Sequence, residues 1–431
     1  WDNNVGQLKD PDDFPLETAW WTAITTVSVP NQWTVWYSTL SALPWANGKE
    51  YLVEARSYDR AGNLCVSYST SVFINDTSKP ESYVWLPASA TVRNSLATIS
   101  GTARDFAYGE VTQVRVYVQR LSDKQYLLAG GSWDSAETPL STTRVFKEQI
   151  GSTNIYDWTR AQSYADSLDS GTSYYVYAKA WDDAGNIETA PPGAAPSVFA
   201  WDVTSPTSTV NYPVDGGFYR TATLTTISGT QADVSPFEGA RMAGVATGVG
   251  PVKVSIQDVL RGTTYWLSGT GWVSGTEQWN NANVFASSWT FVNIPAFETG
   301  REYKIRSKAI DVALPDGNDQ ETQFPQGGYT IIFDTTPPNV LIQKPADGGY
   351  YGAGTTQLDI ISGTAVDPLP FAGAEKSDID YVRLQVRYGT TPTYYWAGSS
   401  WTTNTHWLPT NYGGGDWQYP GGQGGHAIPV W

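Results

Sequence analysis

Aspartate recurs at three equivalent positions of a repeated pattern, where clustered carboxylates could bind a divalent cation. One position follows each Ile-Ser-Gly-Thr segment, one opens an Asp-x-Ala-Gly-Asn turn or its stretched copy, and one lies in each Pro-bearing linker. Ca²⁺ takes about six to eight oxygen ligands from carboxylates, amides and backbone carbonyls. We therefore expect calcium at the domain junctions, bound by three groups of aspartates: Asp59, Asp76 and Asp105; Asp182, Asp202 and Asp233; Asp311, Asp334 and Asp367.

The same aspartates have a second interpretation in turn structure. Asp and Asn side chains accept hydrogen bonds from nearby backbone amides and so stabilise turns without any metal. The Asp-x-Ala-Gly-Asn sequences ending at Asn63 and Asn186 suit that role equally well. The sequence leaves both interpretations open.

Motifs for other chemistry are sparse. Asn75-Asp-Thr77 is a glycosylation sequon. The only histidines, His406 and His426, lie in a Gly-rich stretch near the end, and no nucleophile elbow, zinc spacing or phosphate loop occurs. We expect a protein that is not an enzyme, with Cys65 a small buried residue.

Composition excludes several classes of partner. The net charge of −16 argues against nucleic acid and against an anionic membrane surface, because both require a basic patch. No apolar run is long enough to span a bilayer, so no membrane insertion is expected within this chain. A single cysteine permits no intrachain disulfide.

The elements that would position the aspartates are short strands. Apolar and mostly polar residues alternate in three equivalent segments, which predicts strands with one buried face. An aromatic hairpin follows each of them, and a Tyr opens the later strand at the place of a tyrosine corner. We predict an all-β fold of tandem immunoglobulin-like β-sandwich domains in a linear array. The alternating segments are Val114–Val118, Val252–Ile256 and Val382–Val386.

The repeat gives two whole units of about 130 residues and two partial ones. We assign 79–206 and 207–338 as complete units, 1–78 as the C-terminal half of a unit and 339–431 as the N-terminal half. The two halves together hold the parts of one sandwich, so we expect them to complete each other between neighbouring copies, or along one longer polypeptide. The residues expected at this subunit interface are Tyr51, Val53, Ala55, Val382, Leu384, Val386 and Trp401.

Tryptophan is the most unusual component, with 20 residues. Trp133, Trp272 and Trp401 recur at one repeat position, which favours packing in the hairpin or core. The irregular ones divide between core packing and subunit contact, because Trp combines a large apolar area with a polar edge. They also make glycans a further candidate partner. These are Trp20, Trp21, Trp33, Trp36, Trp45, Trp407 and Trp417.

The motifs resemble the bacterial immunoglobulin-like (Big-type) tandem repeats of large cell-surface adhesins and extracellular fibre proteins. The residues that carry the resemblance are Asp59–Asn63, Asp182–Asn186, Asp334–Pro338 and the Ile-Ser-Gly-Thr segments. The resemblance implies rods that project from the cell, with Ca²⁺ held by linker aspartates in some members. The aromatic hairpin and the Trp content depart from ordinary adhesin repeats.

These observations predict an extracellular or cell-surface structural protein. Its function would be that of a repeat block or subunit of a filament, a homopolymer assembled head to tail through its half-domains. The alternative is an adhesin stalk or carbohydrate-binding array without self-assembly.

Overall fold

The computed structural model describes residues 24–25, 36–37, 44–106, 109–161, 164, 166–189, 196–233, 235–320, 328–352 and 357–419. The chain divides into two compact units, Trp1–Asp202 and Val203–Trp431. The described residues form an all-β fold, as the alternating sequence patterns predict.

The first unit contains four strands in the predicted half-unit 1–78, called here the first partial domain, followed by eleven strands in the predicted unit 79–206, called the first complete domain. The terms second complete domain and last partial domain refer likewise to the predicted units 207–338 and 339–431. The partial-domain strands are β1 (Ile24–Thr25), β2 (Trp36–Tyr37), β3 (Lys49–Ala55) and β4 (Ser69–Asn75). The complete-domain strands are β5 (Glu81–Leu86), β6 (Val92–Arg93), β7 (Thr98–Asp105), β8 (Val111–Arg120), β9 (Tyr126–Leu127), β10 (Trp133–Asp134), β11 (Leu140–Ser141), β12 (Thr143–Ile150), β13 (Thr153–Ala161), β14 (Thr172–Asp182) and β15 (Ser197–Trp201).

The second unit has the reverse order, a complete domain followed by a partial one. The complete-domain strands are β16 (Thr207–Tyr212), β17 (Gly217–Tyr219), β18 (Ile227–Ala232), β19 (Gly248–Asp258), β20 (Thr264–Leu267), β21 (Gly271–Ser274), β22 (Asn280–Val284), β23 (Ser288–Phe291), β24 (Arg301–Ala309) and β25 (Tyr329–Phe333). The partial-domain strands are β26 (Asn339–Lys344), β27 (Ile361–Val366), β28 (Arg383–Leu384), β29 (Arg387–Tyr388), β30 (Tyr394–Trp396), β31 (Trp401–Thr402), β32 (Leu408–Pro409), β33 (Asn411–Gly413) and β34 (Asp416–Tyr419).

The first complete domain is a sandwich of two sheets over one core. One sheet has the order β10-β9-β8-β14-β15-β6, with β11 also on β8, and the other has the order β12-β13-β7-β5. Burial alternates strictly along β7, which is the Ile-Ser-Gly-Thr strand. The second complete domain has ten strands joined into one sheet around its own core, with β22 in the place of both β11 and β12. Pairing is antiparallel except for β6 with β15 and β17 with β25.

The glycine of the Ile-Ser-Gly-Thr motif is fixed by a buried tryptophan on the next strand. Gly101 lies opposite Trp158, and a Cβ at Gly101 would come within 1.8 Å of the Tyr83 carbonyl oxygen and 2.6 Å of the indole ring. The indole N–H donates to the Thr102 carbonyl at 3.1 Å. The same arrangement recurs in the other two copies, as the pairs Gly229–Trp289 and Gly363–Trp417.

The structure confirms the tyrosine corners. The Tyr174 hydroxyl accepts a hydrogen bond from the Asp169 amide, and the Tyr303 hydroxyl accepts one from the Glu298 amide. Tyr51 makes the equivalent bond with the Ala46 amide. Each corner lies at the start of the strand that leads to an Asp-x-Ala-Gly-Asn turn or its stretched copy.

The recurring hairpin tryptophans pack as expected. Trp133 and Trp272 contact their domain cores and stack on Tyr174 and Tyr303 at centroid distances of 5.6 and 5.7 Å. Trp401 packs against the core of the last partial domain.

The irregular tryptophans have different environments. Trp417 is a core residue, equivalent to Trp158, and Trp407 is exposed. Trp45 packs on Tyr51 and Phe73. Trp20, Trp21 and Trp33 lie outside the described residues, and of Trp36 only the backbone in β2 is described.

The β3–β4 hairpin leaves apolar surface uncovered. Among the described residues, β3 pairs only with β4, in a two-stranded sheet. Val53 on β3 is 41% exposed, whereas the equivalent Val176 and Ile305 are fully buried. Phe73 on β4 is 38% exposed, against 1% for the equivalent Phe199. Val382 and Leu384 are buried in the last partial domain's own core, with Val386 packed against it.

Replacing Gly101 with Ala should strongly destabilise the first sandwich, because the new methyl group would overlap a backbone oxygen and a buried ring. We expect a loss of about 3 kcal/mol or more in the free energy of unfolding. Gly130→Ala is the matched control, since that site is exposed, has no neighbour within 4 Å and should change stability by less than about 0.5 kcal/mol. Similar denaturation midpoints for both variants would contradict this account of the motif.

Candidate metal centres

Three aspartates from separate segments converge at one end of the first sandwich. Asp76 follows β4 in the linker, Asp105 ends β7 and Asp182 ends β14. One carboxylate oxygen from each lies within 4.8 Å of those from the other two. Asp105 and Asp182 are buried, and Asp76 is half-buried. This spacing brings three negative charges close enough to share one cation.

Two oxygens of this cluster have no hydrogen-bond partner. Asp76 Oδ2 and Asp105 Oδ2 are both buried and accept no hydrogen bond from the described residues. Gly109 faces both, because a Cβ there would lie 2.3 Å from Asp76 Oδ2 and 2.4 Å from Asp105 Oδ2. An unpartnered buried carboxylate oxygen is costly, so the cluster has unused capacity for a positive ligand.

The third carboxylate is held by its own turn. Asp182 Oδ1 accepts from the Asn186 amide at 2.6 Å, and Asp182 Oδ2 accepts from the Asn186 side chain at 2.8 Å. The Asn186 side chain also donates to the main-chain oxygen of Asp76 at 3.2 Å. The turn therefore ties the linker to the sandwich and fixes the orientation of Asp182.

Burial, and to a smaller extent the neighbouring carboxylates, raise the proton affinity of two aspartates in the cluster. Burial raises the pKa of Asp105 to about 7, helped by the neighbouring Asp76 and Asp182 carboxylates and opposed by a hydrogen bond from the Phe106 amide. Burial also raises the pKa of Asp76, and Asp182 adds to that increase. A cation would relieve both effects, because it favours the ionised forms.

A cleft of about 390 Å³ borders the cluster at Asp76. Its walls include Asp76, Gly109 and Asp183, together with Glu50 and Phe73 from the β3–β4 hairpin. The acidic rim would favour entry of a cation over an anion.

The first expected group of aspartates was wrong in one member. Asp59 is absent from the first cluster, because it lies at the opposite end of the β3–β4 hairpin from Asp76. Seven paired residues separate the two ends of that hairpin, a distance of roughly 20 Å. Asp182 takes the expected place of Asp59, since β7 and β14 end at the same edge of one sandwich.

The corresponding pair in the second unit is Asp233 with Asp311, whose carboxylate oxygens also lie within 4.8 Å of each other. The Asp311 carboxylate accepts hydrogen bonds from both the amide and the side chain of Asn318. Asp311 therefore belongs with Asp233, and the expectation that it groups with Asp334 and Asp367 was wrong. Asp202 is buried at the end of β15 in the first unit, where the Ser170 hydroxyl donates to it.

The remaining pair is bridged by a serine. The Ser377 amide donates to Asp334 Oδ2 at 2.9 Å, and its hydroxyl donates to Asp367 Oδ2 at 3.2 Å. Although burial opposes ionisation, hydrogen bonds from the Ser377 and Thr336 amides keep the pKa of Asp334 below its ordinary value. Asp367 Oδ1 is buried and has no partner among the described residues.

Asp59 itself is exposed and closes its own turn. Its carboxylate accepts from the Asn63 amide at 2.8 Å and from the Asn63 side chain at 2.6 Å. Asn63 is the largest cause of a lowered pKa of Asp59, through the side-chain bond and then the backbone bond. The turn interpretation is thus correct for the local structure of Asp59, Asp182 and Asp311, and it leaves room for a cation at the latter two.

The donor set of the first cluster fits a hard divalent cation. It consists of three carboxylates without sulfur or imidazole, which is the oxygen chemistry that Ca²⁺ prefers. Asn75 of the sequon ends β4 and is half-buried, and its glycosylation remains a prediction. Sequence reasoning missed the partnership of Asp182 with the preceding linker, for which only the order of strands within a sandwich carries a signal.

No protein-family model and no curated protein matches the sequence. Among solved structures, the chain is similar to fibronectin(III)-like modules of CbhA from Clostridium thermocellum, with 12% identity and a TM-score of 0.25 over 59% of this chain and 94% of that chain. It is similar to a tetra-tandem repeat in the extending region of a large adhesion protein, with 17% identity and a TM-score of 0.24 over 83% and 79% of the two chains.

A third similar structure is the sialic acid binding region of a Streptococcus sanguinis adhesin bound to 3'sLn, with 10% identity and a TM-score of 0.18 over 71% and 96% of the two chains. At these TM-scores the fold assignment rests on the strand topology of the chain itself. A search of the described residues found no helix with the length and apolar character needed to span a membrane.

In chelator, the first unit should become more stable as the pH is lowered from about 8 to about 5. Burial raises the pKa of Asp105 from its ordinary value of 3.8 to about 7 in the folded protein, so the folded state binds more protons in this range. The stabilisation is complete below the unfolded pKa and is lost as the pH rises through the folded pKa.

The measurement is the thermal midpoint against pH for the native chain and for Asp105→Asn, both in chelator. The native chain should show the steeper rise on acidification, and the difference between the two curves isolates Asp105 from other buried carboxyls. Parallel curves would show that Asp105 ionises normally in the folded protein.

Proposed function

We propose that this chain is a repeat block of an extracellular or cell-surface structural array, in which Big-type immunoglobulin-like sandwiches are clamped by calcium and partial domains are completed by neighbouring copies. The observation that carries the proposal is the match between the two partial domains. The β3–β4 hairpin has the strands that complete domains place beside their alternating strand, and the last partial domain has the alternating strand without them.

Both complete domains show the register in which the added strand would pair with the alternating strand. In the first, β8 and β14 pair Val118 with Val176, and in the second, β19 and β24 pair Ile256 with Ile305. Transfer of this register to the partial domains predicts three backbone pairs between copies: Val386 with Val53, Leu384 with Ala55, and Val382 with Ser57.

The unfilled edge of the last partial domain supports the same arrangement. In the first domain, β8 pairs with β11 on one side through Val116 and Leu140, and with β14 on the other. In the last partial domain, β28 keeps the equivalent pair, Leu384 with Leu408. Among the described residues no strand occupies its other side, so an added strand would find free backbone groups there.

Aromatic packing would complete the interface. Trp133 and Trp272 stack on the corner tyrosines of their own domains. Trp401 holds the equivalent hairpin position in the last partial domain, and Tyr51 is the corner tyrosine of β3. The proposed contact therefore stacks Trp401 of one copy on Tyr51 of the next and covers the apolar side chains that β3 and β4 expose.

Calcium at the first cluster would stiffen the link between the β3–β4 hairpin and the sandwich that follows it. Asp76 belongs to the linker, and Asp105 and Asp182 belong to the sandwich, so a shared ion joins the two. Localisation outside the cell is part of the proposal, because millimolar calcium there could occupy a site of moderate affinity.

Calcium titration by calorimetry should show one site fewer per chain in Asp105→Asn than in the native protein. Saturating calcium should raise the melting temperature of the native chain by about 5 °C or more, since a ligand that binds only the folded state stabilises it. Asp166→Asn, an exposed aspartate outside the clusters, is the control and should keep the native stoichiometry. Equal stoichiometry in both variants would remove calcium from this cluster.

Completion between copies is tested by a disulfide in the predicted register. In a Cys65→Ser background, Val53→Cys with Val386→Cys should give interchain disulfides and a ladder of multimers on a non-reducing gel. Leu52→Cys with Val386→Cys is the control, because successive side chains of a strand point to opposite faces. A monomeric disulfide product, or equal cross-linking by the two pairs, would contradict head-to-tail completion.

A further inference from the structure

We infer that the junction between copies contains a cation site that neither copy holds alone, formed by Asp334 and Asp367 of one copy and Asp59 of the next. This inference rests on the head-to-tail completion proposed above. It makes assembly dependent on a divalent cation with oxygen-ligand chemistry, and calcium is the probe used to test it.

The aspartates of the complete site come from three defined positions of the repeat. In the first unit, a linker Asp, the Asp after Ile-Ser-Gly-Thr and the Asp at the end of the penultimate strand meet within 4.8 Å. Asp334 and Asp367 are the linker and Ile-Ser-Gly-Thr members of the last set. The strand that would bring the third member corresponds to β3, which leads to Asp59.

The carboxylates of Asp334 and Asp367 already lie close together in one copy, joined through Ser377. Asp367 is 3% exposed, and its Oδ1 has no partner among the described residues. Ser377 donates to Asp334 and to Asp367, so its two hydrogen bonds hold the carboxylates in a fixed relation. A buried carboxylate that has one hydrogen-bonded oxygen and one unpartnered oxygen would be stabilised by a further positively charged ligand.

The Asp59 turn has the same hydrogen bonds as the Asp182 turn of the complete cluster. The two hydrogen bonds of Asp59 with Asn63, at 2.8 and 2.6 Å, match those of Asp182 with Asn186, at 2.6 and 2.8 Å. The free turn thus already has the conformation found in the complete cluster, although Asp59 is exposed. Binding would require little reorganisation of this turn.

The strand register brings these parts to the same place. In the first sandwich, Ala180 pairs with Val114, and Asp182 follows two residues later at the cluster. With Ser57 opposite Val382, Asp59 would likewise follow two residues later, towards the loop that carries Ser377. Asn63 would then be placed to donate to the main-chain oxygen of Asp334, as Asn186 does to that of Asp76.

The site makes assembly conditional. Completing the junction without a cation would bring a third carboxylate beside Asp334 and the buried Asp367, and like charges this close repel strongly. A divalent cation reverses the sign of that contribution. Strand pairing alone would therefore be weak in chelator, and adding calcium would promote filament growth.

The experiment measures assembly of the full chain by light scattering over a calcium titration. Asp59→Asn and Asp367→Asn should each raise the calcium concentration for half-maximal assembly by at least about tenfold, since each loses a charged ligand. Asp105→Asn is the matched control, because its cluster lies within one copy, and it should keep the native midpoint. A native midpoint in Asp59→Asn would overturn the shared site.

Mixing the two defective variants tests whether the site is divided between copies. At a calcium concentration where neither variant assembles, an Asp59→Asn copy still offers Asp334 and Asp367, and an Asp367→Asn copy still offers Asp59. An equimolar mixture should form dimers that grow no further, because every further junction would have at least one of the two defects, and neither defect permits assembly at this calcium concentration. A mixture that stays monomeric would overturn the inference.

The disulfide experiment distinguishes failure of head-to-tail completion from failure of the shared cation site. If the cysteine pair in the predicted register forms no interchain disulfide at any calcium concentration, head-to-tail completion fails and the shared site fails with it. If disulfides form equally well in calcium and in chelator, completion stands and the cation site is wrong.

Discussion

The organisation of each sandwich depends on one non-local pairing, between the alternating strand and the strand that follows the tyrosine corner. In the first domain these are β8 and β14, whose pairing extends from Tyr174 to Asp182. The pairing joins segments more than 50 residues apart and buries Val116 and Val176 completely. It also sets where β14 ends, and so carries Asp182 to the carboxylate cluster.

The carboxylate clusters form because this strand pairing brings aspartates together, and repulsion between their negative charges opposes the arrangement. Burial is the main cause that raises the pKa of Asp105 to about 7, and the neighbouring carboxylates add to it. A protein that retained such a cluster without a ligand would be less stable in neutral solution than one without it. A cation bound there, as proposed, would convert the same residues into a link between the linker and the sandwich. Folding at the junction and cation binding would then be coupled.

The loop beside the carboxylates differs from one repeat unit to another. Gly109 approaches Asp76 and Asp105 without a side chain and leaves their Oδ2 atoms unpartnered. At the last pair, Ser377 supplies two hydrogen bonds and satisfies one oxygen of each carboxylate. The strand scaffold is therefore shared, whereas the loop residue beside the carboxylates differs between the two sites.

The fold class, the tyrosine corners and the recurring aspartates could be predicted from the amino-acid sequence, because periodicity and motif spacing are local properties of the chain. Which aspartates meet depends on how the strands pair in three dimensions. Asp59 and Asp76 are near each other in sequence, yet an antiparallel hairpin separates them, while Asp182 reaches Asp76 through a strand pairing across the domain. Trp158 was equally hidden, since its contact with Gly101 exists only once β13 lies beside β7, and no spacing along the chain specifies that neighbour.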